Sequence, residues 1–318
     1  MAQVLGFRFR LASLQFILFL TSHGVTPAGV GMHVVLLGDS TIDNVCWTGH
    51  PHEVTEQLKS LLPEARITNY AADGFNSTDL LRGAAPRISA EKRREIGDPF
   101  PELSDDVFKP LDHVASMSPP PSHAVVSIGG NDVREILGRM DMLQSIIQGF
   151  HSNYMEILGK LCASVPNVIL MFQYRPAFHM DRGGYGVYQA IGSIPGPGDS
   201  VDKINSLMLT CYAPVLAKAR DMQLPIVDLP RSFDIYDDEL FCCQIEPSAK
   251  GGAEIAKLLS HTLQNHDFSR ASKFYFSRDG AVCEELNDGS VQWSIPRDPS
   301  AERHHDSVLQ GRSVEIEP

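Results

Sequence analysis

Short apolar runs of strand length recur along the chain, and stretches of helix length separate them. This alternation constrains the fold more than any other feature. The runs occupy residues 33–37, 66–70, 124–128, 167–172 and 225–229, the first being His33-Val34-Val35-Leu36-Leu37. Near-continuous apolarity, in place of strict alternation, marks strands covered on both faces. The intervening segments 54–62, 142–165, 202–222 and 248–263 repeat apolar residues at three and four positions, as an amphipathic helix does. In 142–165 the stripe is Ile146, Ile147, Phe150, Tyr154, Ile157 and Leu158. Ser248 follows Pro247 and makes a good N-cap for the closing helix. Strands that alternate with helices join into a parallel sheet through crossover connections. The expected class is therefore α/β: a three-layer α/β/α sandwich on a five-stranded parallel sheet.

The chain of 318 residues with a 43% hydrophobic fraction is long enough to bury a sizeable core. Its formal charge of -12 argues against nucleic acid as a partner, because phosphate binding needs clustered Lys and Arg. An anionic membrane surface is equally disfavoured. The one short basic run, Lys92-Arg93-Arg94, reads as a solvated helix face. Cys46, Cys162, Cys211, Cys242, Cys243 and Cys283 follow no CxxC spacing, so they read as free, mostly buried thiols and not as a zinc cluster. Nothing in the sequence calls for a metal or an organic cofactor.

The expected organisation has three parts. Residues 1–31 are an N-terminal extension or signal-like segment: Arg8 and Arg10 precede an apolar run at 11–20, too short to span a bilayer. If residues 1–28 are a cleaved signal peptide, the chain is secreted. Met32 directly before the first strand, and a glycosylation sequon at Asn76-Ser77-Thr78 on the rim of the expected site, favour a cytoplasmic chain instead. Residues 32–266 form the α/β domain, interrupted by a polar, Pro-containing insertion at 83–121. Residues 267–318 are expected to form a β-hairpin appendage, with strands at 273–277 and 290–295, and a disordered tail beyond Pro296. The hairpin is signalled by Asp279-Gly280 and Asp288-Gly289.

Three segments that follow strands carry the chemistry, since open parallel sheets bind ligands at the carboxyl ends of their strands. Gly38-Asp39-Ser40 follows the first run. Its glycine allows a sharp exit from the sheet, and its serine hydroxyl is left at the strand end beside backbone N–H groups. By itself such a tripeptide is usually only a cap. A second copy, Gly198-Asp199-Ser200, lies in a Gly/Pro loop and reads as a helix start. Asp73-Gly74-Phe75-Asn76 follows the second run and alone signals only a turn, although its glycine lets a backbone N–H point into the site. Gly129-Gly130-Asn131-Asp132 follows the third, and Asn131 is a side-chain donor suited to an oxyanion.

Together, in this order, the three segments resemble the blocks of SGNH (GDSL-type) hydrolases over roughly residues 32–265. The resemblance implies a flavodoxin-like sheet and a nucleophile at Ser40. It also implies an oxyanion hole from the Ser40 and Gly74 N–H groups and the Asn131 side chain, with a small-molecule ester as substrate. The fourth block departs from the family. Where Asp-x-x-His is usual, Cys243-Gln244-Ile245-Glu246 stands, so Glu246 takes the histidine position and Cys243 the aspartate position. A carboxylate of ordinary pKa is a weak base. Either burial raises Glu246 enough to serve, or Glu246 orients a histidine from elsewhere. His50 and His52 are nearest to Ser40 in sequence, although His50-Pro51-His52 is more simply a solvated loop. His261 and His266 read as surface residues, and His304 and His305 lie in the tail. Cys242-Cys243 reads as two buried structural thiols beside the site. The expected function is ester hydrolysis with a serine nucleophile. The alternative is a catalytically impaired pseudoenzyme that binds acyl or carbohydrate groups.

Overall fold

A computed structural model describes residues 31–98, 107–178, 186–291 and 293. The signal-like segment before residue 31 and the tail with His304 and His305 lie outside the described residues. In chain order the strands are β1 (His33–Gly38), β2 (Arg66–Asn69), β3 (His123–Ser127), β4 (Asn167–Phe172), β5 (Ile226–Asp228), β6 (Phe241–Cys243), β7 (Glu246–Pro247), β8 (Lys273–Arg278) and β9 (Ala281–Leu286). The helices are α1 (Val45–Thr48), α2 (Val54–Leu61), α3 (Ser77–Arg82), α4 (Ala90–Glu95), α5 (Pro110–Ser116), α6 (Gly130–Gly138), α7 (Leu143–Ser164), α8 (Val187–Gly192), α9 (Ser200–Asp221), α10 (Leu229–Ser232) and α11 (Ala249–Asn265).

The five apolar runs form β1 to β5, parallel throughout, in the order β2-β1-β3-β4-β5. Their residues alternate between two cores. Val35, Leu37, Val126, Leu170 and Phe172 face one side, where α7 and α9 supply Phe150, Tyr154, Tyr212 and Val215. Val34, Leu36, Val125, Ile169 and Met171 face the other, under Val54 and Leu58 of α2 and Ile255 and Leu259 of α11. The three layers follow from this alternation, because each sheet face needs its own helical cover.

Among the described residues the sheet has seven strands, not five. β8 pairs in parallel with β5, and β9 turns back antiparallel through Asp279-Gly280 to form the edge. A hairpin therefore forms in this region with a different second strand, and it extends the central sheet. Phe274 and Tyr275 are buried against the domain, which an independent hairpin would leave in water. Its second strand is 281–286; of the expected strand 290–295, Ser290, Val291 and Trp293 are described and are not strand, and the rest lies outside the described residues. His266, expected at the surface, is buried, with Nδ1 2.8 Å from the Tyr275 hydroxyl, because the hairpin covers it.

The insertion at 83–121 is more than a polar loop, since it carries α4 and α5. Arg93 of α4 is buried between Asp43 and Asp98, so the middle of the expected solvated basic face is a core ion pair. Asp199 caps α9 with a capping box, as the second Gly-Asp-Ser copy implied. The described cysteines are free, but only Cys211 and Cys243 are buried, and Cys46 is exposed. Among the described residues no helix is long and apolar enough to cross a membrane.

Candidate active site

Ser40 sits on the turn that leaves β1. Gly38 makes the turn possible: its φ of +151° disfavours other residues, and a Cβ there would overlap the Ser127 carbonyl of β3. Asp39 points inward and is buried. It accepts from the Thr41 N–H at 3.0 Å and from Gln173 Nε2 at 3.2 Å, which fixes the turn from below. Gln173 also donates to Ser127 Oγ at 3.0 Å and accepts from Thr41 Oγ1 at 2.6 Å. One amide just past β4 thus joins the ends of three strands. Burial raises Asp39 to about 7, only partly opposed by the bonds from Thr41 and Gln173.

The second and third segments meet beside it. Asn131, in the first turn of α6, donates through Nδ2 to the Phe75 carbonyl at 2.9 Å, one residue beyond Gly74. Asp132 accepts from both the N–H (2.9 Å) and the hydroxyl (2.6 Å) of Ser77, and so ties α6 to α3. Burial pushes Asp132 up to about 6. Gly129 at φ +131° lies under the Tyr212 hydroxyl, which donates to the Ile128 carbonyl at 2.9 Å and leaves no room for a Cβ. Gly74 at φ +82° is covered by the Arg87 side chain. The N–H of Asp73, just before it, donates to Asp43 Oδ2 at 2.7 Å, and Asp43 is itself held by Arg93 at 2.6 Å. The insertion therefore braces the Gly74 turn.

The departing fourth block is the part that touches Ser40. Ser40 Oγ donates to Glu246 Oε1 at 3.1 Å. Glu246 lies on β7, in a two-strand ladder where it pairs with Cys243. Two bonds from the loop after β4 pin this ladder: the Tyr174 hydroxyl donates to the Ile245 carbonyl at 2.8 Å, and the Ala177 N–H to the Gln244 carbonyl at 2.8 Å. Glu246 is 3% exposed, and its second oxygen, Oε2, is buried with no hydrogen-bond partner among the described residues. Burial, and then the nearby Asp73 carboxylate, push its pKa up to about 9 against the opposing Ser40 bond. Near neutrality it is a neutral carboxylic acid.

Ser40, Asn131 and Glu246 line one pocket; Gly74 is not among its lining residues. The pocket's polar end also holds Asp39, Thr41, Arg134 and Gln173. Its walls are apolar, from Val133 and Leu137 of α6, Val187 of α8, and Ile204 and Met208 of α9. Among the described residues no histidine reaches Ser40 or Glu246. His50 instead lies 3.3 Å from Glu53, so the histidine-relay alternative has no geometric support here. Cys242 is half-buried and directs its thiol at the Glu246 and Pro247 carbonyls, 3.7 and 3.5 Å away. That thiol also lowers the Cys243 thiol below its usual range. Gln173, Tyr174, Asp43 and Arg93 were not legible in the sequence as site residues. An isolated Gln, Tyr or Arg carries no motif, and each acts here across long sequence separations.

The three blocks occupy successive strand ends of a sheet ordered 2-1-3-4-5, with Ser40 and Asn131 opening on a common pocket. The first five strands follow the flavodoxin-like order. Several solved structures are similar to this chain. An extracellular lipase from Streptomyces rimosus is 13% identical, with 73% of this chain and 99% of the lipase covered, at a TM-score of 0.44. A phospholipase A1 from Streptomyces albidoflavus is 13% identical, covering 74% and 99%, also at 0.44. A catalytic mutant of an acetylxylan esterase from Geobacillus stearothermophilus is 16% identical, with 76% of this chain and 99% of the esterase covered, at 0.42. No family model and no curated protein matches the sequence.

Proposed function

We propose that the chain is a serine ester hydrolase in which Ser40 attacks the ester carbonyl and Glu246 takes the serine proton. The observation that carries this reading is the 3.1 Å Ser40–Glu246 hydrogen bond at the polar end of an otherwise apolar pocket. As the Ser40 Oγ–C bond forms, its proton moves to Glu246 Oε1, and negative charge develops on the former carbonyl oxygen. The Ser40 N–H and the Asn131 amide, both on the pocket, are the donors assigned to that oxyanion, and the Gly74 N–H, from a residue outside the pocket lining, would join them only if its turn moves inward. Collapse of the intermediate expels the alkoxide, which recovers the proton from Glu246. Water then repeats the sequence on the acyl-serine. The apolar walls suit the hydrocarbon part of the substrate, whether acyl chain or apolar alcohol. No metal or cofactor enters these steps.

The raised pKa gives this reading its signature. A base must be ionised to accept a proton, so the competent form grows as pH rises through about 9. Near neutral pH Glu246 is mostly protonated, so only a minor fraction is competent. A second reading, an acyl-binding module without turnover, is favoured by the same neutral carboxyl group. Hydrolysis of p-nitrophenyl acetate and butyrate by the purified full chain, alongside Ser40→Ala, separates the two. A Ser40-dependent rate that climbs with pH supports the hydrolase. A wild-type rate equal to that of Ser40→Ala both at neutral pH and above about 9 leaves the binding module.

A further inference from the structure

We infer that His50, Glu53 and Glu56 form a binding site for a divalent transition-metal cation of the zinc class. The three residues are spaced three apart where the loop after Ser40 runs into α2, with Glu53 at the N-cap position. Their ligating atoms lie within 4.8 Å of one another. His50 Nδ1 is 3.3 Å from Glu53 Oε1. The deciding observation concerns the middle residue. Glu53 is fully buried, and its other oxygen, Oε2, has no hydrogen-bond partner among the described residues. A buried carboxylate oxygen left unpaired is costly, and a bound cation removes that cost.

The surroundings supply the charge balance a cation needs. Asp43, Asp98 and Glu56 all act electrostatically on Glu53. Asp43 and Asp98 share Arg93, and Glu56 gives one oxygen to Lys59 at 2.7 Å. Arg93 and Lys59 are thus each engaged by a neighbouring carboxylate, and the corner around Glu53 is rich in acidic groups. One imidazole nitrogen with two carboxylates is a donor set for zinc-like ions, whereas magnesium and calcium prefer oxygen alone. Ligand atoms at about 2.0–2.2 Å from a tetrahedral ion stand roughly 3.3–3.6 Å apart. The exposed His50 and partly exposed Glu56 side chains must therefore close by up to about 1.5 Å around the buried Glu53, with water completing the shell.

The site lies on a braced corner. Asn44 Oδ1 accepts from the Val54 N–H at 2.9 Å, and Gln57 bridges the His52 and Ala249 carbonyls at 2.6 and 3.0 Å. A bound ion would tie the loop leaving Ser40 to α2, and through Gln57 to the start of α11. The inference does not depend on Ser40 chemistry.

The full chain, stripped with a chelator, is titrated with Zn²⁺ by calorimetry and with Co²⁺ by visible absorption, alongside His50→Ala and Glu53→Gln. His50 is exposed, so its variant remains folded even if Glu53→Gln does not. The expected result is one Zn²⁺ site that raises the melting temperature of wild type and weakens by at least about tenfold in His50→Ala, since even losing a ligand's outer partner costs that much. Co²⁺ should show ligand-field bands without thiolate charge transfer. Zn²⁺ binding unchanged in His50→Ala, as capture by His304 and His305 would give, overturns the inference. So does a thiolate-type Co²⁺ spectrum, or no binding at all.

Discussion

Ser40 and Glu246 lie 206 positions apart, and one hydrogen bond joins them where β1 ends and β7 begins. The serine follows a strand with a glycine exit, which is visible in the sequence. Its partner was visible only as a misfit, a glutamate in the place of a histidine. What the sequence does not reveal is burial, and burial decides what Glu246 does. Because its folded pKa of about 9 stands above the ordinary glutamate value, its contribution to stability is fully present below about pH 4.3 and is lost as pH rises towards 9. Glu246→Gln removes this titration while keeping an acceptor for Ser40. Thermal melts across pH should show wild type losing melting temperature between about pH 5 and 9 relative to the variant. Parallel curves would mean that Glu246 is not strongly perturbed. Glu246→His tests the same residue chemically. An imidazole titrates near neutrality, so this variant should reach its maximal esterase rate at least one pH unit lower than wild type, read from its pH–rate profile.

At the scale of elements, the supports of the site come from places the sequence leaves unmarked. The five core strands were legible because each is apolar on both faces. The insertion was not, because its short helices α4 and α5 have too few turns to show a period. In Lys92-Arg93-Arg94 the outer two side chains are exposed and only Arg93 is buried, a distinction no local pattern carries. Arg93 neutralises Asp43 and Asp98, and Asp43 in turn holds the Asp73 N–H at the Gly74 turn. Arg93→Ala leaves two buried carboxylates unpaired and should cost about 3–5 kcal/mol in denaturant unfolding. A loss below about 1 kcal/mol would show that this network is solvated and does not brace the turn. On the opposite side of the site, Gly38→Ala should prevent the β1 exit outright, since neither its φ nor the Ser127 carbonyl tolerates a Cβ. Its readout is loss of soluble folded protein.

At the scale of the whole molecule, the sheet is longer than its apolar runs announce. β9 carries Glu284, Glu285 and an exposed Leu286, as an edge strand facing water does, and such a strand lacks the uniform apolarity that marked the others. β8 gives Phe274, Tyr275 and Phe276 to the core, so the hairpin closes the sheet beyond β5. A chain truncated after residue 271 should expose the β5 edge and aggregate, as size-exclusion chromatography would show. A monodisperse folded fragment would return the hairpin to the status of an appendage. The exit of β1 carries Ser40 and the β6–β7 ladder carries Glu246 into one pocket, and the proposed chemistry rests on that pair. The most direct test is the rate at which a fluorophosphonate probe labels the full chain as pH is varied, compared in wild type, Ser40→Ala and Glu246→Gln. Labelling should be confined to Ser40, rise with pH through about 9 in wild type and stay low in Glu246→Gln. Labelling that is absent at every pH, or identical in wild type and Glu246→Gln, would contradict the proposed chemistry.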